Sequence, residues 1–189
     1  DWFAGPGETP TVEPGWGHQP WFEFWETEHR AVREAAGLFD LSFMTKLQLT
    51  GPGAGPLLNW VSTADVDGGA GRITYTQWLN ERGGVEADLT VTKMADDDFL
   101  VISSDNTRGD VLGQLQRARE DRADLGATEL VEVTEDFALL SLQGPASRKI
   151  LASLTDADLS GEAFAFRDSR DIVVAGVPVR ATRITYVGE

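Results

Sequence analysis

Apolar and polar positions alternate with period two in three consecutive runs between Arg72 and Ser103. Ile73 to Leu79 (ITYTQWL) is β-branched and aromatic, Val85 to Thr92 resumes the alternation, and Phe99 to Ile102 is a third apolar run. Gly83-Gly84 separates the first two runs and Ala95-Asp96-Asp97-Asp98 the last two. Two hairpins in succession predict an antiparallel meander. Within it, Asp88 sits in the middle strand, a place that disfavours Asp. Alternation puts Asp88 on one face with Glu86 and Thr90, and Val85, Ala87, Leu89 and Val91 on the other. Two readings stay open: a solvated carboxylate, or one that points into a pocket and handles a proton or an amine.

Around this meander the period changes. Trp21 to Ala36 carries its apolar residues at helical spacing, with Gly37 as its C-cap. Leu38 to Thr50 predicts one strand, broken by Gly51-Pro52-Gly53, and Ala54 to Val61 a short helix. Thr107 to Asp124 predicts a second long helix with Thr107 as N-cap. Strands follow at 130–134, 137–142 and 163–166, with a helix over 146–154 opened by Pro145. A last hairpin joins Ile172–Val174 to Val177–Tyr186. Residues 1–20, rich in Gly, Pro and Trp, read as an extended arm.

A strand closed by Thr50-Gly51-Pro52 and followed by a short helix recurs as a strand closed by Gln143-Gly144-Pro145 and followed by another. The expectation is an α+β protein of antiparallel sheets with flanking helices, built as two related units. The arm spans 1–20, the first unit 21–134, and a truncated second unit 135–189. The ends, Asp1-Trp2-Phe3 and Tyr186-Val187-Gly188-Glu189, read as cuts in a longer chain.

Composition narrows the function. The net charge of −15 repels nucleic acid and anionic membranes, so neither is expected as a partner. No apolar run approaches the roughly 20 residues that span a bilayer. The absence of Cys removes thiolate ligands and cysteine nucleophiles, and two His residues, His18 and His29, do not suggest a His-rich metal site. Asp96-Asp97-Asp98 lacks the rest of a calcium loop and reads as a hairpin tip. His29 reads as structural more readily than as a general base, and Trp21, Phe22, Phe24 and Trp25 as packing more readily than as a stacking platform. Gly83-Gly84 is followed by a strand rather than a helix, which does not suit a phosphate cradle.

Three strings are long enough to carry a resemblance: EHRAVREAAGLFDLS (28–42), YTQWLNERGGVEADLTVT (75–92) and LQGPAS (142–147), together with the closing YVGE (186–189). They resemble the glycine cleavage T-protein (aminomethyltransferase) family, and within it the folate-binding portion of dimethylglycine and sarcosine dehydrogenases. The resemblance implies a tetrahydrofolate site, with Asp88 near the reactive nitrogens as the catalytic carboxylate and Tyr75 and Tyr186 as folate-binding aromatics. It implies transfer of a one-carbon unit from an iminium or aminomethyl group to tetrahydrofolate, giving 5,10-methylenetetrahydrofolate. The implied partners are folate and a small amine, with an amine-carrying lipoyl protein or a fused flavin domain. FAD would belong to a domain outside this chain. A bacterial cytoplasmic setting is expected. The alternatives are a non-catalytic folate-binding or assembly module of the same fold, and a folate-dependent demethylase.

Overall fold

The computed structural model describes residue 7 and residues 15–185. It is a mixed α and β protein whose sheets are antiparallel. The chain forms two compact units that interleave in sequence. The smaller comprises residues 1–39, 141–154 and 185–189, the larger 40–140 and 155–184.

The larger unit is built on five strands: β2 (Thr45–Thr50), β3 (Ile73–Leu79), β4 (Val85–Ala95), β5 (Asp98–Ser103) and β6 (Glu129–Glu132). Their order across the sheet is β3-β4-β5-β2-β6. The predicted meander is therefore present as β3-β4-β5. Alternation creates a buried face, to which the strands contribute Leu47, Leu49, Trp78, Ala87, Leu89, Val91, Phe99 and Val101. Two helices supply the facing apolar layer: α2 (Ala54–Val61) through Ala54, Leu57 and Leu58, and α3 (Arg108–Asp121) through Val111, Leu115 and Ala118. Trp78 lies at the centre of this core, fully buried, with its indole N–H donated to Ser62 Oγ at 2.9 Å.

Residues 155–184 attach to the β3 end of the sheet. Arg72 and Asp168 form an isolated antiparallel bridge, Ile73 N–H donates to Arg167 O, and Ser169 N–H donates to Gly71 O. The Arg167 guanidinium returns to Ile73 O and Thr74 Oγ1, and the Arg72 guanidinium pairs with the Asp168 carboxylate. Strands β8 (Ser169–Val174) and β9 (Val177–Thr182) form the last hairpin, turned at Ala175-Gly176 with φ of 49° and 83°.

The described part of the smaller unit holds α1 (Phe22–Glu34), β1 (Gly37–Asp40) paired with β7 (Leu140–Gln143), and α4 (Ser147–Ala152). Its described residues contribute nothing to the buried apolar core. At Gly144 (φ 101°) a Cβ would stand 2.5 Å from Val32 O, so the Gln143-Gly144-Pro145 turn and the end of α1 approach each other as only glycine permits.

Two predicted elements differ. The strand expected over 38–50 is two strands, β1 and β2, separated by a turn at 41–44. Asp40 Oδ1 accepts the Ser42 N–H, and Leu41 N–H donates to Leu139 O, so an Asx turn and a distant backbone partner outcompete continued extension. The strand expected at 163–166 is a turn, in which Phe164 N–H donates to Ser160 O and Asp168 Oδ2 accepts the Ala165 N–H. Gly37 opens β1 rather than capping α1, whose C-cap is Ala35. Thr107 stands at the start of α3 without a side-chain cap, since its hydroxyl donates to Ser104 O.

Candidate functional site

The sheet face turned away from α2 and α3 is where the predicted carboxylate lies. In β4, Ala87, Leu89 and Val91 are buried, whereas Glu86 and Asp88 are exposed and Thr90 is half-buried. In β3, Thr74, Thr76 and Trp78 are buried, whereas Tyr75 is exposed and Gln77 half-buried. The β3–β4 register sets Gln77 directly across from Asp88 and Tyr75 across from Thr90. Tyr75 and Asp88 are thus diagonal neighbours on one face, a separation that a tyrosine spans. Tyr75 Oη donates to Asp88 Oδ2 at 2.6 Å, the short distance expected when the acceptor is a carboxylate.

This contact sets the titration of the phenol. The Asp88 carboxylate holds the Tyr75 hydroxyl above its ordinary range, because ionising it would give up that hydrogen bond and set two anions together. The Gln77 side chain, two residues away on the same strand face, pulls the other way.

Gln77 is itself held by Thr63, the second residue after α2. The Gln77 backbone N–H donates to Thr63 Oγ1 at 3.3 Å, and Thr63 Oγ1 donates to Gln77 Oε1 at 3.4 Å. Near the hairpin tip, Asn80 Nδ2 donates to Glu86 Oε1 at 2.5 Å, and Asn80 Oδ1 accepts the backbone N–H groups of Arg82 and Gly84. That bracing fixes the turn that carries β3 into β4.

The result is an open polar platform: a tyrosine 60% exposed as a residue, beside a carboxylate with one oxygen bonded and Oδ1 without a partner among the described residues. Chemically, such a platform can stack a flat heteroaromatic group and accept an N–H or a proton.

Tyr75 and Asp88, both named through the family resemblance, are in hydrogen-bond contact in the structure. Tyr186, the third expected residue, lies outside the described residues. Gln77 and Thr63 were missed. Gln77 had a signal in the sequence, since it is two residues from Tyr75 on the same strand face. Thr63 had none, because only the return of the chain after α2 brings it to β3.

The other candidates are placed elsewhere. His18 stacks on Phe22 with ring centroids 3.6 Å apart, and His29 stacks on Trp25 at 5.4 Å, so both histidines are engaged by aromatic residues of α1. Asp96–Asp98 forms the β4–β5 tip, where Asp98 Oδ1 accepts Gln48 Nε2–H at 2.9 Å and Asp97 O accepts the Gly51 N–H. Among the described residues no three His, Asp or Glu side chains converge as a metal site. No helix among them is long and apolar enough to cross a membrane. The smaller unit has an open cavity of about 780 Å³ beside α1 and α4, with Arg33, Arg148 and Lys149 among its lining residues. Neither Tyr75 nor Asp88 lines it.

Comparison with known proteins sets this geometry in a family. The GCVT N-terminal domain family matches residues 1–189. Over 189 residues the chain is 32% identical to 4-methylaminobutanoate oxidase (formaldehyde-forming) of Paenarthrobacter nicotinovorans, covering 100% of this chain and 22% of that protein. It is 36% identical to the mitochondrial sarcosine dehydrogenase of Homo sapiens over 84% of this chain and 18% of that one. It is 38% identical to the aminomethyltransferase of Geobacillus thermodenitrificans over 95% of this chain and 48% of that one. Among solved structures, the glycine cleavage system aminomethyltransferase T of Bartonella henselae superposes with a TM-score of 0.64 at 28% identity, over 76% of this chain and 37% of that one. The chain thus spans from about a fifth to about half of the length of these curated relatives.

Proposed function

The chain belongs to the GCVT N-terminal domain family, and from that premise we propose that it is the folate-binding module of a one-carbon transferase. The reaction is that of a tetrahydrofolate-dependent aminomethyltransferase. The carbon of an amine-derived iminium or aminomethyl group is captured by two folate nitrogens, which give up their protons, while its bond to the donor nitrogen breaks and the donor leaves as the free amine, giving 5,10-methylenetetrahydrofolate. The observation that carries the reading is the Tyr75–Asp88 pair on an open strand face.

Its residues fit such a ligand. Asp88 Oδ1 has no partner among the described residues, and the exposed Tyr75 ring offers a flat apolar surface. Tetrahydrofolate, when bound, supplies the nucleophilic nitrogen. Asp88 accepts the proton that this nitrogen loses and stabilises the positive charge that develops as the carbon–nitrogen bond forms. Tyr75, already donating to Asp88 Oδ2, keeps the carboxylate turned so that its second oxygen faces the ligand. Tyr186 is the second folate-binding aromatic in this reading.

The resemblance to an oxidase described as formaldehyde-forming supports a donor carbon at the formaldehyde level, which matches the methylene product. A flavin that oxidises the amine would belong to a separate domain, and a small amine or an amine-carrying lipoyl protein would deliver the carbon. The same reading takes 1–20, 21–134 and 135–189 as successive segments, the last two as related α+β units, in a bacterial cytoplasmic protein.

The test is Asp88→Ala in the full-length protein. Because Asp88 is exposed, circular dichroism and thermal unfolding stay as in the parent. Folate-dependent turnover drops by roughly 10²–10⁴, the range for one acid–base group. Unchanged turnover with the fold intact would remove Asp88 from the mechanism.

A further inference from the structure

We propose that Thr63 and Gln77 are positioning residues that fix the direction of a hydrogen-bond chain ending at Asp88, so that the Tyr75 proton always points at the carboxylate. The inference rests on the reading of Asp88 as the proton acceptor and deepens it.

A carboxylate only accepts, so the 2.6 Å contact between Tyr75 Oη and Asp88 Oδ2 carries the phenol proton toward Asp88. The phenol oxygen is then left with acceptor capacity alone. Gln77, half-buried, directly across from Asp88 in the register and two residues from Tyr75 on the same strand face, is the neighbouring side chain placed to turn a donor toward that oxygen. Its amide has two ends, and only the NH₂ end donates. Thr63 decides which end faces Tyr75. The Thr63 hydroxyl receives the Gln77 backbone N–H at 3.3 Å and lies 3.3 Å from Thr76 Oγ1; with Thr76 as donor in that pair, the Thr63 proton is directed to Gln77 Oε1 at 3.4 Å. With Oε1 engaged by Thr63, Nε2 is the end left to donate to the phenol.

Two links are formed in the structure, Thr63 Oγ1–H to Gln77 Oε1 and Tyr75 Oη–H to Asp88 Oδ2; the proposed link between them is Gln77 Nε2–H to Tyr75 Oη, across neighbouring positions of one strand face. Each donor polarises the next, so the chain strengthens its last link.

Thr63 is anchored independently of Gln77's side chain. Its backbone N–H donates to Gln77 O at 3.1 Å, and the adjacent Ala64 N–H donates to Thr76 Oγ1 at 3.1 Å. One residue earlier, Ser62 bridges to Trp78 in the core. The buried indole thus sets the register of the segment that orients the exposed amide. Without the chain, the Tyr75 hydroxyl rotates freely and spends part of its time accepting from solvent. Asp88 then loses the donor that keeps Oδ2 occupied and Oδ1 free.

The readout is the ionisation of Tyr75, followed by NMR in full-length protein labelled with ¹³C at tyrosine Cζ and assigned by the resonance lost in Tyr75→Phe. Gln77→Leu removes a donor to the phenol oxygen and so moves the Tyr75 titration to higher pH. Thr63→Val moves it in the same direction by less, and Thr63→Ser restores the parent curve. Asp88→Asn moves it to lower pH. A Tyr75 titration unmoved by both Gln77→Leu and Thr63→Val, while Asp88→Asn still shifts it, would overturn the chain. No folate is present in this measurement. Its failure is therefore separate from a failure of the folate reading, which shows as unchanged turnover in Asp88→Ala.

Discussion

Substitution of Gly51 by Ala separates two costs that are usually merged. Gly51 ends β2 with φ of +106°, donates its N–H to Asp97 O at 2.8 Å and accepts the Ala54 N–H at 2.9 Å. A Cβ at this position would lie 2.6 Å from Ala127 O, a backbone atom with little freedom to retreat. The disfavoured backbone conformation costs about 1–3 kcal/mol. Displacing the carbonyl adds the cost of an overpacked contact, again about 1–3 kcal/mol. Gly176→Ala is the control. Its φ of +83° is also positive, but nothing stands within 4 Å of the added atom. Both variants gain equally from restricting the unfolded chain, so that contribution cancels in the comparison. Gly51→Ala is therefore less stable than Gly176→Ala by about 1–3 kcal/mol, the overpacking cost alone. Urea unfolding followed by Trp fluorescence measures this, since Trp78 is fully buried. With a slope of about 1–3 kcal/mol per molar urea, the midpoints differ by about one molar. Coincident midpoints would refute the steric argument and leave backbone strain as the whole effect.

Three other substitutions have defined outcomes. Ser62→Ala strands the Trp78 indole N–H in the core and lowers stability by about 1–3 kcal/mol in urea titrations. The Ala165 N–H and the Arg72 guanidinium hold the Asp168 carboxyl below its usual range. Its folded pKa is depressed, so the stability it contributes is present above the unfolded value near ~4 and is lost as pH falls through the folded one. Asp168→Asn therefore flattens the acid limb of the stability curve. Burial pushes the Lys46 ammonium below the usual lysine range, although it donates to Ser42 O, Met44 O and Thr134 O at 2.9–3.2 Å. The unfolded chain then binds more protons between the two pKa values, so stability rises with pH over that alkaline interval. Lys46→Met abolishes the rise in unfolding curves collected across the alkaline range.

The parts of the fold that depend on neighbouring residues were legible in the chain. Period-two alternation and two turn signals placed β3, β4 and β5, and the same alternation put Asp88 with Glu86 and Thr90 on the open face. Val85 departs from its expected face and is exposed, because the pairing shifts between Trp78 and Leu79. The two Gly-Pro turns also share geometry. Gly51 and Gly144 have φ of 106° and 101°, and each accepts a backbone N–H from the third residue onward, Ala54 and Ser147. What the chain did not reveal depends on distant partners. The break at 41–44 needs Leu139, the turn at 163–166 needs Asp168, and the burial of Lys46 needs Thr134 O. The folate assignment came from resemblance, whereas alternation alone left Asp88 between solvent and pocket.

The attachment of residues 167–169 to β3 also bears on how the protein behaves in a crowded solution. An edge strand with free N–H and C=O groups is a template for a second chain. Here β3 is occupied at one end by Arg167 and Ser169 and at the other by Ser62 and Thr63, so only a short stretch around Tyr75 stays open. At the opposite edge, β6 has only four residues, with a glutamate at each end. The segment after residue 154 therefore acts as a guard against intermolecular strand pairing. A proteolytic cut that releases it would turn a dispersed acidic protein into one that self-associates through β3.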